Sequence, residues 1–140
     1  MLLALRHLLV GYADRGRRWH AGECSGVSRR VAVYREVIEA EIALCPDLQR
    51  LASAAGVTRF QVIRDFRLVT GLTPGGYIRN RRIRLACRLI ARGSRLADAA
   101  AAAGFADQSH LSRAFRRSQG ITPGMFRQAC VDDRAQPADV

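Results

Sequence analysis

The sequence predicts an all-α chain: two helix-turn-helix subdomains joined by a long linker helix, with an N-terminal helical arm. Three observations predict it. A stretch of about thirty residues occurs twice in tandem, as a repeated structural unit does. Each copy divides at a glycine into two short segments with apolar residues at helical spacing. Between the copies, Pro74 to Arg92 carries apolar and arginine positions at spacings of three and four.

The N-terminal arm comes first. Leu2, Leu5, Leu9 and Tyr12 follow one helical stripe, suited to packing on the rest of the chain or to an a/d-like seam with another chain. Gly11 to Arg30, rich in Arg and Gly, reads as a linker. Val31, Tyr34, Ile38 and Ile42 predict a second helix leading into the repeat. These expectations divide the chain into an arm over 1–45, for which the remnant of a sensor or dimerisation domain is one reading, a double helix-turn-helix over 46–130, and a disordered acidic tail over 131–140.

The copies are Leu48–Tyr77 and Leu96–Phe126. Leu48 matches Leu96, Ala52 matches Ala100, and Gly56 matches Gly104. One inserted residue later, Arg64 matches Arg113, Phe66 matches Phe115, Gly71 matches Gly120, and Pro74 matches Pro123. In copy one, Asp47 is placed to cap the first helix, whose stripe is Leu48, Leu51, Ala52 and Ala55; Gly56 ends it. Thr58 caps the second helix, which buries Val62, Phe66 and Val69, and Gly71 closes it. In copy two the first helix starts at or beside Ser94 and ends at Gly104. Asp107 caps the next, Leu111 and Phe115 face inward, and Gly120 stops it. The small Ala52 and Ala100 suit the close crossing of a helix-turn-helix.

The linker helix starts at the Thr73-Pro74 cap. Ile78, Leu85 and Leu89, with Ala86 and Ile90, form its apolar face; Arg81, Arg84, Arg88 and Arg92 form its polar one. Its roughly 28 Å length approaches the roughly 34 Å that separates successive major grooves on one side of B-DNA.

Charge locates the partner. The 140 residues carry a net charge of +11, and all 23 basic residues are arginine. Residues 46–130 hold fifteen of them against four acids, so a polyanion site belongs there. The composition, with 49% hydrophobic residues, excludes a disordered, collagenous or disulfide-dense chain. Met1–Val10 is too short to span a bilayer and has no signal-peptide cleavage site. Cys24, Cys45, Cys87 and Cys130 form no CxxC pair, which predicts reduced thiols in the cytoplasm. No phosphate-binding glycine loop, nucleophile elbow or HExxH occurs, so the expectation is a non-enzyme with no cofactor, no metal, no catalytic residues and no membrane partner.

At this point the residues resemble a known family. GFADQSHLSRAFRRSQGITPGMFR, from Gly104 to Arg127, is similar to the signature of the AraC/XylS transcription regulators. YIRNRRIRLACRLIARG matches their connecting helix and LASAAGVTRFQVIRDFRLVTGLTP their first helix-turn-helix. The resemblance covers about residues 47 to 127 and implies seven helices with both recognition helices in the major groove. It implies regulation of transcription through double-stranded promoter or operator DNA, with RNA polymerase as a protein partner. Family members typically carry a separate sensor domain; the 45 residues preceding the module are too few for a cupin-like barrel, so effector control is not carried over.

The resemblance assigns base readout to Arg59, Phe60, Ile63 and Arg64 in the first recognition helix. In the second it assigns Gln108, Ser109, His110, Ser112 and Arg113. Arg suits guanine and Gln suits adenine, each through two hydrogen bonds, while Phe60 and Ile63 suit thymine methyl groups. Arg64 and Arg113, equivalent in the repeat, are the foremost readers. Arg67, Arg82, Arg116 and Arg117 are expected at phosphates. Two other functions compete: a nonspecific architectural DNA binder, and an interaction fragment pairing with another regulator, or with itself, through residues 1–45.

Overall fold

The computed structural model describes residues 25–135, and those residues form seven helices and no strand. They are α1 (Ser25–Ala40), α2 (Leu48–Ala55), α3 (Arg59–Thr70), α4 (Pro74–Ala91), α5 (Leu96–Ala102), α6 (Gln108–Gln119) and α7 (Pro123–Ala135). The Leu2–Tyr12 stripe and residues 136–140 lie outside the described residues.

Local chemistry sets the boundaries. Asp47, Thr58, Thr73 and Asp107 each accept a hydrogen bond from the backbone N–H three residues on, relieving one of the unpaired donors at a helix start. Thr122 does the same for α7. The α5 start at Arg95 has no side-chain cap; its guanidinium instead forks onto Asp98, in the first turn. Gly71 and Gly120 close α3 and α6 in the left-handed conformation that glycine adopts without steric penalty.

Two cores form, one per repeat. The first gathers Val31, Tyr34 and Ile38 of α1, Leu51 and Ala52 of α2, Val62 and Phe66 of α3, and Ile78 of α4. The second joins the later part of α4 to α5, α6 and α7, around Ile83, Leu111, Phe115 and Phe126. Thus α4 stands to the second helix-turn-helix as α1 stands to the first, and its N-terminal turns also close the first core.

Several expectations change. Ser25–Arg30, read as linker, is helical, and α1 belongs inside the first core rather than in a separate arm. The boundary at residue 45 therefore cuts through a packed unit: Val31, Tyr34 and Ile38 are 0–1% exposed because α2 and α3 cover them. Residues 131–135, read as disordered tail, continue α7. On α4 the deepest residues are Ile83, Ala86, Cys87 and Ile90, while Leu85 and Leu89 lie at the edge. The helix serves two cores, so its buried stripe shifts along its length.

Candidate nucleic-acid interface

Each recognition helix has one buried and one open side. Val62, Asp65 and Phe66 of α3 face inward, as do Leu111, Ala114 and Phe115 of α6. The opposite face of α3 presents Arg59, Arg64 and Arg67, together with Phe60 at 79% exposure; Ile63 is half-buried beside them. The opposite face of α6 presents Gln108, Ser109, His110, Arg113, Arg116 and Arg117, with Ser112 half-buried. One edge of each helix borders a groove between the two units, lined by Ile63 and Arg67 of α3, by His110 and Ala114 of α6, and by Ile78 and Phe105. The His110 ring stands edge-on to Phe105 at 5.3 Å, which fixes its direction at the start of α6.

The electrostatics of these faces differ from the rest of the surface. Among the described residues, Arg30, Arg50, Arg81 and Arg95 each pair with a carboxylate. None of Arg59, Arg64, Arg67, Arg113, Arg116 and Arg117 does. The α6 sequence contains no acid, and the sole acid of α3, Asp65, is 1% exposed and engaged elsewhere. Six guanidinium groups on two helices are thus left uncompensated.

Asp65 anchors α3 from behind. Arg30 donates to it twice, Nε to Oδ2 at 2.7 Å and Nη2 to Oδ1 at 3.0 Å. The Tyr34 hydroxyl donates at 3.0 Å and Gln61 Nε2 at 2.7 Å. Burial alone would push this carboxyl up, but the hydrogen bonds from Arg30, Gln61 and Tyr34 outweigh it and hold the group below its ordinary value. Burial, then the bond to Asp65, pushes the Tyr34 phenol up to about 12. Sequence reasoning missed this site. The available signal was an acid between Val62 and Phe66 on the inward face, which needs a cationic partner to be buried.

Arg82, expected at phosphate, is half-buried, and its Nε donates to the Ile42 carbonyl at 3.0 Å. The other expected site residues keep open or half-open positions on α3 and α6. Cys87 is buried among apolar side chains, which pushes its thiol up to about 12 and leaves it a poor nucleophile. Among the described residues no cluster of three or more His, Cys, Asp or Glu is arranged to hold a metal ion, and no helix is long and apolar enough to cross a membrane.

Residues 51–129 match the family model of a helix-turn-helix domain. The chain is 34% identical over 84 residues to the HTH-type transcriptional regulator YbfI of Bacillus subtilis, covering 60% of this chain and 30% of that one. It is 30% identical over 129 residues to an AraC-like transcription regulator of Streptomyces lividans, covering 91% and 42%. The chain therefore spans less than half the length of these relatives. Among solved structures, an AraC-type regulator from Chromobacterium violaceum superposes with a TM-score of 0.70 at 27% identity, over 81% of this chain and 99% of that one. The DNA-binding domain of AdpA in complex with a target DNA gives 0.67 at 27% identity, over 80% and 98%.

Proposed function

The chain belongs to the AraC/XylS family of helix-turn-helix regulators, and from that premise we propose that it regulates transcription by binding double-stranded promoter DNA sequence-specifically. In this reading α3 and α6 enter successive major grooves on one side of the duplex. Arg64 and Arg113 read guanines, Gln108 reads adenine, and Phe60 packs on a thymine methyl group. Arg59, Ile63, Ser109, His110 and Ser112 complete the base-facing surfaces. Arg67, Arg116 and Arg117, nearer the C-terminal ends of the two helices, hold phosphates and set the register. The observation that carries this reading is the set of six uncompensated arginines on two repeat-equivalent helices that border one groove.

The site of action is the cytoplasm, and RNA polymerase is the protein partner this role requires. Self-association through residues 1–45 is narrowed by α1. The stripe Val31, Tyr34 and Ile38 is consumed inside the first core, which leaves Leu2, Leu5, Leu9 and Tyr12 to form any seam between chains.

A binding titration against a selected duplex and a scrambled one tests the proposal. Sequence-specific binding predicts at least about a thousandfold preference for the selected duplex and a steep fall of affinity with salt. Equal affinity for both duplexes would contradict it.

A further inference from the structure

The equivalent turn glycines of the two repeats stand in different surroundings. Gly56 has φ +64° and open space: a side chain there would meet nothing within 4 Å. Gly104 has φ +79°, and a Cβ there would lie 2.9 Å from the Cα and the carbonyl oxygen of Ala43, and 2.7 Å from Arg82 Nη2. The turn of the second helix-turn-helix is therefore pressed against the backbone that connects α1 to α2 in the first. Arg82, midway along α4, lies at the same junction and donates from Nε to the Ile42 carbonyl at 3.0 Å. Three residues after Ile42, Cys45 is at φ +59°, a conformation that a residue with a Cβ seldom adopts and that persists where neighbours hold it. Three segments far apart in sequence, at residues 42–43, 82 and 104, meet beside the groove that both recognition helices border.

We propose that the junction of Arg82, Gly104 and the Ile42–Ala43 backbone is a spacing lock, which fixes the setting of α6 relative to α3 and so selects the separation of the two base-reading boxes on DNA. The inference rests on the reading of α3 and α6 as DNA-reading helices. Its physical basis is geometric. Adding one base pair between the boxes rotates the second by roughly 35° and moves it by roughly 3.4 Å. A rigid junction cannot follow that step without giving up a base contact, whereas a loosened one can. Arg82 is then a positioning residue rather than a phosphate ligand.

The test uses the full chain and a set of duplexes carrying both selected boxes, with their separation stepped one base pair at a time around about ten. Wild type should bind its best spacing at least about tenfold more tightly than either neighbour, the size of one forfeited base contact. In Arg82→Ala that ratio should fall several-fold. The slope of log affinity against log salt should stay unchanged, because no phosphate contact is removed. Gly104→Ala, which strains the same junction from the other side, should lower the ratio in the same way. Gly56→Ala should leave the ratio as in wild type. A uniform loss across all spacings with a salt slope reduced by about 0.9 would overturn the lock and make Arg82 a phosphate contact. An unchanged spacing profile in Arg82→Ala would equally overturn it, and Arg82→Met, which keeps much of the length without a donor, repeats the measurement should the alanine variant fold poorly. Wild type that selects no boxes would instead refute the DNA-reading function itself.

Discussion

The two helix-turn-helix units descend from one sequence pattern yet are held together differently. Behind the first recognition helix lies a buried carboxylate, Asp65, bound by Arg30, Tyr34 and Gln61. The repeat-equivalent position behind the second is Ala114, in a core whose buried residues are all apolar. The first unit thus depends on a charged network that reaches back into α1, and the second on apolar packing against α4 and α7. A buried ion pair gives little net stability over an apolar core, but it is directional and costly to break from one side. We read the difference as a division of labour: α1 orients α3 through fixed hydrogen bonds, while α6 is oriented by packing and by the Gly104 junction.

Asp65→Ala is the largest expected break in this comparison. It should destabilise the first unit by about 3 kcal/mol, the lower part of the range for splitting a buried pair, because Arg30 is 29% exposed and regains water. Chemical denaturation of both proteins measures this. The pH dependence sharpens the result. The carboxyl is held below its ordinary 3.8 when folded, so its contribution is complete above that value and is lost as pH falls through the folded value. Wild type should lose thermal stability steeply below about pH 4, with a flatter profile in Asp65→Ala. Identical acid profiles would show that the network contributes nothing.

The glycine pair comes next. Gly56→Ala should cost about 1 kcal/mol, from its positive φ alone. Gly104→Ala should cost about 2–3 kcal/mol, since a Cβ also meets the Ala43 backbone. Equal melting temperatures for the two variants would erase the proposed asymmetry. Binding offers a finer comparison. Arg64→Ala and Arg113→Ala should each lose about 1–3 kcal/mol at one base position and relax the preference there. The two positions should lie in different boxes, as a mutant-specific selection would show. The smallest effect belongs to Arg95→Ala. Its ion pair with Asp98 is exposed to solvent, and its removal should leave the melting temperature essentially unchanged.

Much of this architecture was legible from the chain alone because it is locally encoded. Asp47, Thr58, Thr73 and Asp107 cap their helices through bonds three residues away, and Gly56, Gly71 and Gly120 end them by backbone conformation. The outward arginines followed from the phase of Val62–Phe66 and Leu111–Phe115. What could not be read depends on contacts between distant residues. The stripe on α1 was visible, but not that α2 and α3 cover it. Asp65 finds its partners 31 and 35 residues earlier. Arg82 falls in register with Ile78, Leu85 and Leu89, and its partner appears only when the chain 40 residues before it is folded alongside. The buried stripe of α4 was misplaced toward Leu85 and Leu89 because one helix satisfies two cores, which a single periodicity does not describe.

On the proposed function, two unlike-anchored but equivalent helices read DNA together. Selection of the full chain against a randomised duplex library, followed by sequencing, tests it most directly. Joint reading should enrich a bipartite site whose boxes are centred about one helical turn apart. Enrichment of a lone box, or of no sequence at all, would contradict it.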